Sequence, residues 1–303
     1  MQEVNSRLNS AVGGITYSAA VLFFAVVSLV VSLIISLSGL EQGSDGYLYL
    51  SYLISPVAIG GCVTAVLFWK KTPFKSVFPV KCNFKYYIIG ILLAYGLLFS
   101  LGWVNTLSVE FFKLFGYQPR ESGSYLPDLS GGYVALALLV IAVLPAFCEE
   151  LLFRGVLLNA CENGMGSIRA VFTVGFCFAL FHGSPEQTVY QFIAGCVFAF
   201  VAVRSRSVTP SVLMHFINNA LIVILGACGL YGEGGEMVIS SAANIALNVT
   251  SALALAGGLV WLILDKKPLE SCRKGGVKSF YLFASVGIAV LALSWFLSLF
   301  GVA

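Results

Sequence analysis

Glu149 and Glu150 stand side by side in an apolar stretch, Cys148-Glu149-Glu150-Leu151-Leu152-Phe153-Arg154. The sequence holds two histidines, and both also fall in apolar stretches: Phe178-Ala179-Leu180-Phe181-His182 and His215-Phe216-Ile217-Asn218-Asn219. Ionisable groups are costly in hydrocarbon and are functional candidates by default. Glu150 and Arg154 are four apart with the acid N-terminal, the favourable orientation for a helical ion pair. Arg154 is therefore expected to occupy Glu150. That leaves Glu149, turned about 100° around the helix, to face another element. His215 and Asn219 share one helical face. A lone buried histidine or carboxylate often only braces a bundle. Two histidines, an asparagine and an unpaired glutamate on separate apolar helices are harder to explain as bracing.

Two mechanisms suit these residue types. In the first, Glu149 and His182 polarise a water that attacks a peptide carbonyl, while His215 and Asn219 donate hydrogen bonds to the oxyanion. A buried carboxylate is a suitable general base near neutral pH, and preorganised oxyanion donors contribute about 3 kcal/mol each. In the second, Glu149, His182 and His215 bind one divalent metal such as Zn²⁺, which lowers the pKa of its bound water to about 7. The residue types are the same for both, so both readings stay open at this point. Other intramembrane protease chemistries lack support. There is no H-E-x-x-H zinc signature, no Gly-x-Gly-Asp, no Gly-x-Ser-x-Gly elbow, and Gly183-Ser184-Pro185 is not a rhomboid-like serine motif.

The elements that must position these groups are membrane helices. The composition is 59% hydrophobic and 10% charged, with a mean hydropathy of +0.94. A soluble domain carries roughly 25% charged residues, so lipid must solvate part of this chain. Apolar runs near the ~20 residues that cross a bilayer cover about 13–38, 47–69, 86–105, 132–158, 167–183, 187–203, 208–229, 241–264 and 279–301. The expected fold is an all-α polytopic bundle of eight or nine spans, a single membrane domain over 1–303 with a catalytic core at about 132–225. The first run lacks the basic flank and small-residue cleavage site of a secretory signal, so it is expected to be a retained span. The eight cysteines form no C-x-x-C pair, which argues against a zinc ribbon or disulfide framework.

Loop charges alternate. The 70–85 connection carries Lys70, Lys71, Lys75, Lys81 and Lys85. Arg204 and Arg206 mark the next basic turn, and Lys266, Lys267, Arg273, Lys274 and Lys278 the last. The intervening loops hold Glu41 and Asp45, then Glu110, Glu121 and Asp128, then Glu233 and Glu236. By the positive-inside rule the N-terminus is expected in the cytoplasm. The small net charge of +3 gives no reason to expect a nucleic-acid partner. The 106–131 segment is partly amphipathic and suits either a short interfacial helix or an ordinary loop. These boundaries put Glu149 and His182 at different depths. Either the fourth span starts later than 132, or His182 lies mid-membrane and Gly183-Ser184-Pro185 is a bend.

Glu149-Glu150-x-x-x-Arg154, Phe178-x-x-x-His182 and His215-x-x-x-Asn219 resemble the three motifs of the CAAX-protease and bacteriocin-processing (CPBP, or Abi) family. The stretch from Gly195 through Ser207 and Pro210 to His215 resembles that family's third-motif region. The resemblance spans roughly 132–225. It implies an all-helical membrane core and endoproteolysis of peptides or of lipidated, membrane-embedded tails. It implies Glu149 as general base or metal ligand working with His182, and His215 and Asn219 at the oxyanion. Alternatively His215 joins Glu149 and His182 on a metal. Glu150, Arg154 and Phe178 would support the site. No eukaryotic targeting feature is present, so a bacterial plasma membrane is the expected location. The competing reading is a non-catalytic bacteriocin-immunity or transport protein. Against transport, no inverted repeat is evident.

Overall fold

The computed structural model describes residues 8–119, 126–230, 237–265, 269–271 and 275–301. The described residues form helices and connections without a β-sheet. We number the main helices α1 Ser10–Ser38, α2 Asp45–Trp69, α3 Lys85–Ser100, α4 Gly102–Lys113, α5 Tyr133–Met165, α6 Ser167–Phe181, α7 Thr188–Ser205, α8 Thr209–Ala227, α9 Ser241–Leu264 and α10 Gly276–Leu299. The helix ends follow local chemistry. Asn9 caps α1 by accepting from Val12 N, and Gly39 closes it at φ +67°. Ser44 and Ser240 cap α2 and α9 in the same way as Asn9. Pro210 sits in the first turn of α8, where a missing N–H costs nothing.

Among the described residues eight helical segments, counting α3 and α4 as one, are long and apolar enough to cross a bilayer; α6 is a shorter apolar helix. The eight-span expectation is met, and the 167–183 run forms the short helix α6. The 106–131 stretch begins as α4, which continues the third span after a break at Leu101. Residues 120–125 of that stretch lie outside the described residues.

Connections gather at two ends. At one end Glu162 pairs with Arg206 at 3.2 Å and Asp265 with Lys85 at 3.1 Å. There too Ser167 N donates to Glu270 O at 3.1 Å, and Val208 N to Pro79 O at 3.0 Å. At the other end Asp128 N donates to Asp45 Oδ1 at 2.8 Å, and Tyr117 OH to Glu186 Oε2 at 3.2 Å.

With little hydrophobic drive between helices in lipid, close backbone approach holds them together. A Cβ on Gly14 would strike the Phe280 carbonyl of α10, and one on Gly96 would strike Leu255 of α9. A Cβ on Gly195 would lie 3.0 Å from the Phe178 ring and 3.1 Å from Gly175 Cα, so α6 and α7 cross with almost no gap. The main core surrounds α5, where every residue of Leu151–Leu157 is buried. The outer faces of α1, α9 and α10 expose large apolar side chains such as Leu33, Leu253 and Leu282, as a lipid-facing surface requires.

The depth mismatch resolves in favour of the bend. The 15 residues of α6 rise about 22 Å at 1.5 Å each, short of the ~30 Å hydrocarbon core. Gly183 then turns the chain at φ +63°, a conformation that favours glycine. Glu149 to Met165 and Ser167 to His182 are antiparallel legs of similar length, so the two side chains stand at similar heights.

Candidate active site

The two π-helical segments of α5, Leu138–Val143 and Leu151–Leu157, flank the glutamate pair. Single π turns inside α-helices recur at functional sites. Part of the cause here is Pro145, which has no N–H to donate to the Ile141 carbonyl four residues back. Asn219 of α8 supplies the donor instead, with Nδ2 3.1 Å from Ile141 O.

Glu150 and Arg154 are fully buried, with Nη1 to Oε1 at 2.7 Å. The guanidinium also donates to Gly195 O at 3.0 Å and lies 4.6 Å from the Phe178 ring centroid and 5.2 Å from that of Phe198. Glu150 does more than hold Arg154. The expected pair with Arg154 is present, and Oε1 also accepts from His215 Nδ1 at 3.0 Å. The ring orientation of His215 is thereby set. With Nδ1–H given to Glu150, Nε2 presents a lone pair in the neutral ring and an N–H in the protonated one.

Glu149 is buried to 8% exposure and is turned about 100° around the helix from Glu150. Ser55 of α2 donates to its Oε1 at 3.1 Å. Its Oε2 is buried with no hydrogen-bond partner and lies 3.9 Å from His215 Nε2. His182 Nδ1 lies 2.9 Å from the Phe178 carbonyl, so Nδ1 carries the proton in that bond and Nε2 remains as the second ring nitrogen. Asn218 Nδ2 donates to Asn219 Oδ1, and Tyr190 OH to Asn218 Oδ1, each at 3.3 Å.

Glu149, Phe178, His182, His215 and Asn219 line one cavity of about 720 Å³, with Glu150 and Arg154 behind its wall. Apolar side chains such as Phe24, Leu97 and Phe198 share the lining with neutral polar ones, among them Asn105, Gln187 and Gln191. The sequence reading passed over Ser55, Tyr190 and the Pro145–Asn219 relation. A hydroxyl in an apolar helix carries no spacing signal. The proline four residues past Ile141 was visible, but the asparagine that answers it was not.

The metal reading requires Glu149, His182 and His215 to close on one ion. Among the described residues no three His, Cys, Asp or Glu side chains are gathered closely enough to do so. The described side chains therefore do not fit a metal ion, and we derive no step through one.

Residues 131–221 match the family model described as type II CAAX prenyl endopeptidase Rce1-like. Over 209 residues the chain is 20% identical to a Bacillus subtilis (strain 168) protein named "Putative membrane peptidase YdiL", covering 67% of this chain and 83% of that protein. No solved structure matches the chain.

Proposed function

We propose that this chain, whose residues 131–221 match the Rce1-like endopeptidase model, is a CPBP-type membrane endopeptidase that hydrolyses a peptide bond inside the membrane by a glutamate–histidine mechanism. One observation carries the reading: Glu149 Oε2 is buried, unpartnered and 3.9 Å from His215 Nε2 at the wall of a large cavity. A water at ordinary hydrogen-bond distances reaches both atoms at once. Glu149 takes a proton from that water as its oxygen attacks the scissile carbonyl carbon. His182, at the same cavity, orients the water. His215, bound to Glu150 through Nδ1, stabilises the oxyanion through Nε2–H when protonated, with the remaining Nδ2–H of Asn219 as a second donor. When the tetrahedral intermediate collapses, Glu149 returns the proton to the leaving amide nitrogen and the C–N bond breaks.

The substrate is a peptide or protein tail, lipidated or membrane-embedded. The mixed lining supports that class. Apolar walls suit a lipid or apolar side chain, and the carboxamides of Asn105, Gln187 and Gln191 offer both donors and acceptors to a peptide backbone. The location is a bacterial plasma membrane with the N-terminus in the cytoplasm, supported by the lysine- and arginine-rich end of the bundle.

The deciding experiment is cleavage of a fluorogenic peptide library by the purified chain. Glu149→Gln keeps shape and hydrogen bonding but cannot act as a base, so it should abolish hydrolysis while leaving expression and detergent stability nearly unchanged. Thorough chelation with elemental analysis should leave wild-type activity intact. Loss of activity on chelation, restored by one equivalent of Zn²⁺, would return the site to the two-histidine, one-carboxylate metal reading.

A further inference from the structure

Hydroxyls in apolar helices usually bond back to a carbonyl one turn earlier, and many here do. Ser28 donates to Phe24 O, Ser51 to Tyr47 O, Ser100 to Gly96 O and Ser108 to Val104 O, at 2.6–2.9 Å. Those of Ser10 and Ser18 cross instead to backbone carbonyls of neighbouring helices, Ala160 O and Phe283 O. Ser55, one turn after Ser51 in the same helix, does neither: it donates to a carboxylate side chain. Its hydroxyl crosses from α2 to α5 and ends on Glu149 Oε1 at 3.1 Å. Ser55 is 94 residues from Glu149 and outside the 131–221 segment that carries the family match.

A glutamate's terminal torsion is broad and roughly two-fold, so an untethered carboxylate presents either oxygen over a range of directions. With Oε1 held by Ser55, the carboxylate plane is fixed and Oε2 is the oxygen left toward His215 Nε2. We infer that Ser55 is a positioning residue that selects Oε2 of Glu149 as the basic oxygen and aims it at the water site shared with His215. This rests on the endopeptidase reading for its effect on turnover, but the orientation of Glu149 is a property of the resting protein.

The test therefore has two readouts on the full chain in lipid nanodiscs. In kinetics with a peptide that wild type cleaves and Glu149→Gln does not, Ser55→Ala should lower kcat about tenfold, the scale of one hydrogen bond to a charged group. KM should stay within about twofold. Ser55→Thr, which keeps the hydroxyl, should recover most of the loss. In infrared spectra, subtracting Glu149→Gln from wild type isolates the Glu149 carboxylate band. That band should shift in the Ser55→Ala background and stay in place in Ser55→Thr. An unshifted band with unchanged kcat would overturn the proposal. So would equal losses in the Ala and Thr variants with a matching fall in melting temperature, which would mark a packing role. If wild type cleaves no peptide that Glu149→Gln spares, the endopeptidase reading fails, and the infrared band alone decides whether Ser55 orients Glu149.

Discussion

The adjacent carboxylates have opposite environments, and that contrast divides their work. Glu150 is fully buried and its Oε1 is shared between Arg154 and His215. Each glutamate has an Oε2 without a hydrogen-bond partner, but only that of Glu149 stands at the cavity; Glu150 lies behind the wall. A buried ion pair is a weak source of net stability, because desolvation offsets the attraction, but removing one partner strands the other. Glu150→Gln or Arg154→Ala should therefore cost about 3–5 kcal/mol of stability as well as activity, read as a lower melting temperature in detergent. Arg154→Lys should not restore it. A lysine has no planar fork to reach Glu150 and Gly195 O together. Equal activity losses in the Glu149, Glu150 and Arg154 variants, with stability unchanged in all, would contradict this division.

At the scale of elements, α5 and α8 are joined by a substitution of donors. Pro145 leaves the Ile141 carbonyl without its helical N–H, and Asn219 Nδ2 takes that place. The bond anchors α8 to α5 and fixes one of the two Asn219 N–H groups, leaving the other for the cavity. Asn219→Ala should cost about 1–2 kcal/mol in the wild-type background. In a Pro145→Ala background, where a backbone donor is available again, the cost should shrink. The coupling measured by this double-mutant cycle isolates the bond, and a coupling near zero would remove it from the account. Activity lost with Asn219 should not return in the double variant, because Pro145→Ala restores the helix bond and not the oxyanion donor.

The whole molecule is organised by charge and by one helix that stops short. Basic connections and their acidic partners cluster at one end, and α6 brings His182 from that end only part of the way across. Two cysteines report on orientation. Cys82 precedes α3 at the basic end, and the exposed Cys228 ends α8 at the opposite one. In single-cysteine variants, a thiol reagent that cannot cross membranes should label Cys228 in intact cells. It should label Cys82 only after permeabilisation. The reverse pattern would invert the proposed topology while leaving the site geometry untouched.

Much of this was legible along the chain because it depends on local sequence. Sustained hydropathy over about 20 residues specifies a membrane helix wherever the chain goes. Four-residue spacing specifies which side chains share a helical face, which is why the Glu150–Arg154 pair and His215 within an apolar helix could be read directly; His182, expected inside a helix, caps the end of α6. The family resemblance rested on the same local spacings. The rest required contacts between distant positions. Glu150 meets His215 across 65 residues, Asn219 meets Ile141 across 78, and Ser55 meets Glu149 across 94. Nothing in the residue types announces these pairs, since a serine in an apolar helix has a carbonyl of its own one turn away. Which glutamate holds His215 depended on how α5 and α8 meet, and how far His182 is carried on the 15-residue length of α6. Those are packing outcomes, decided only when the helices meet.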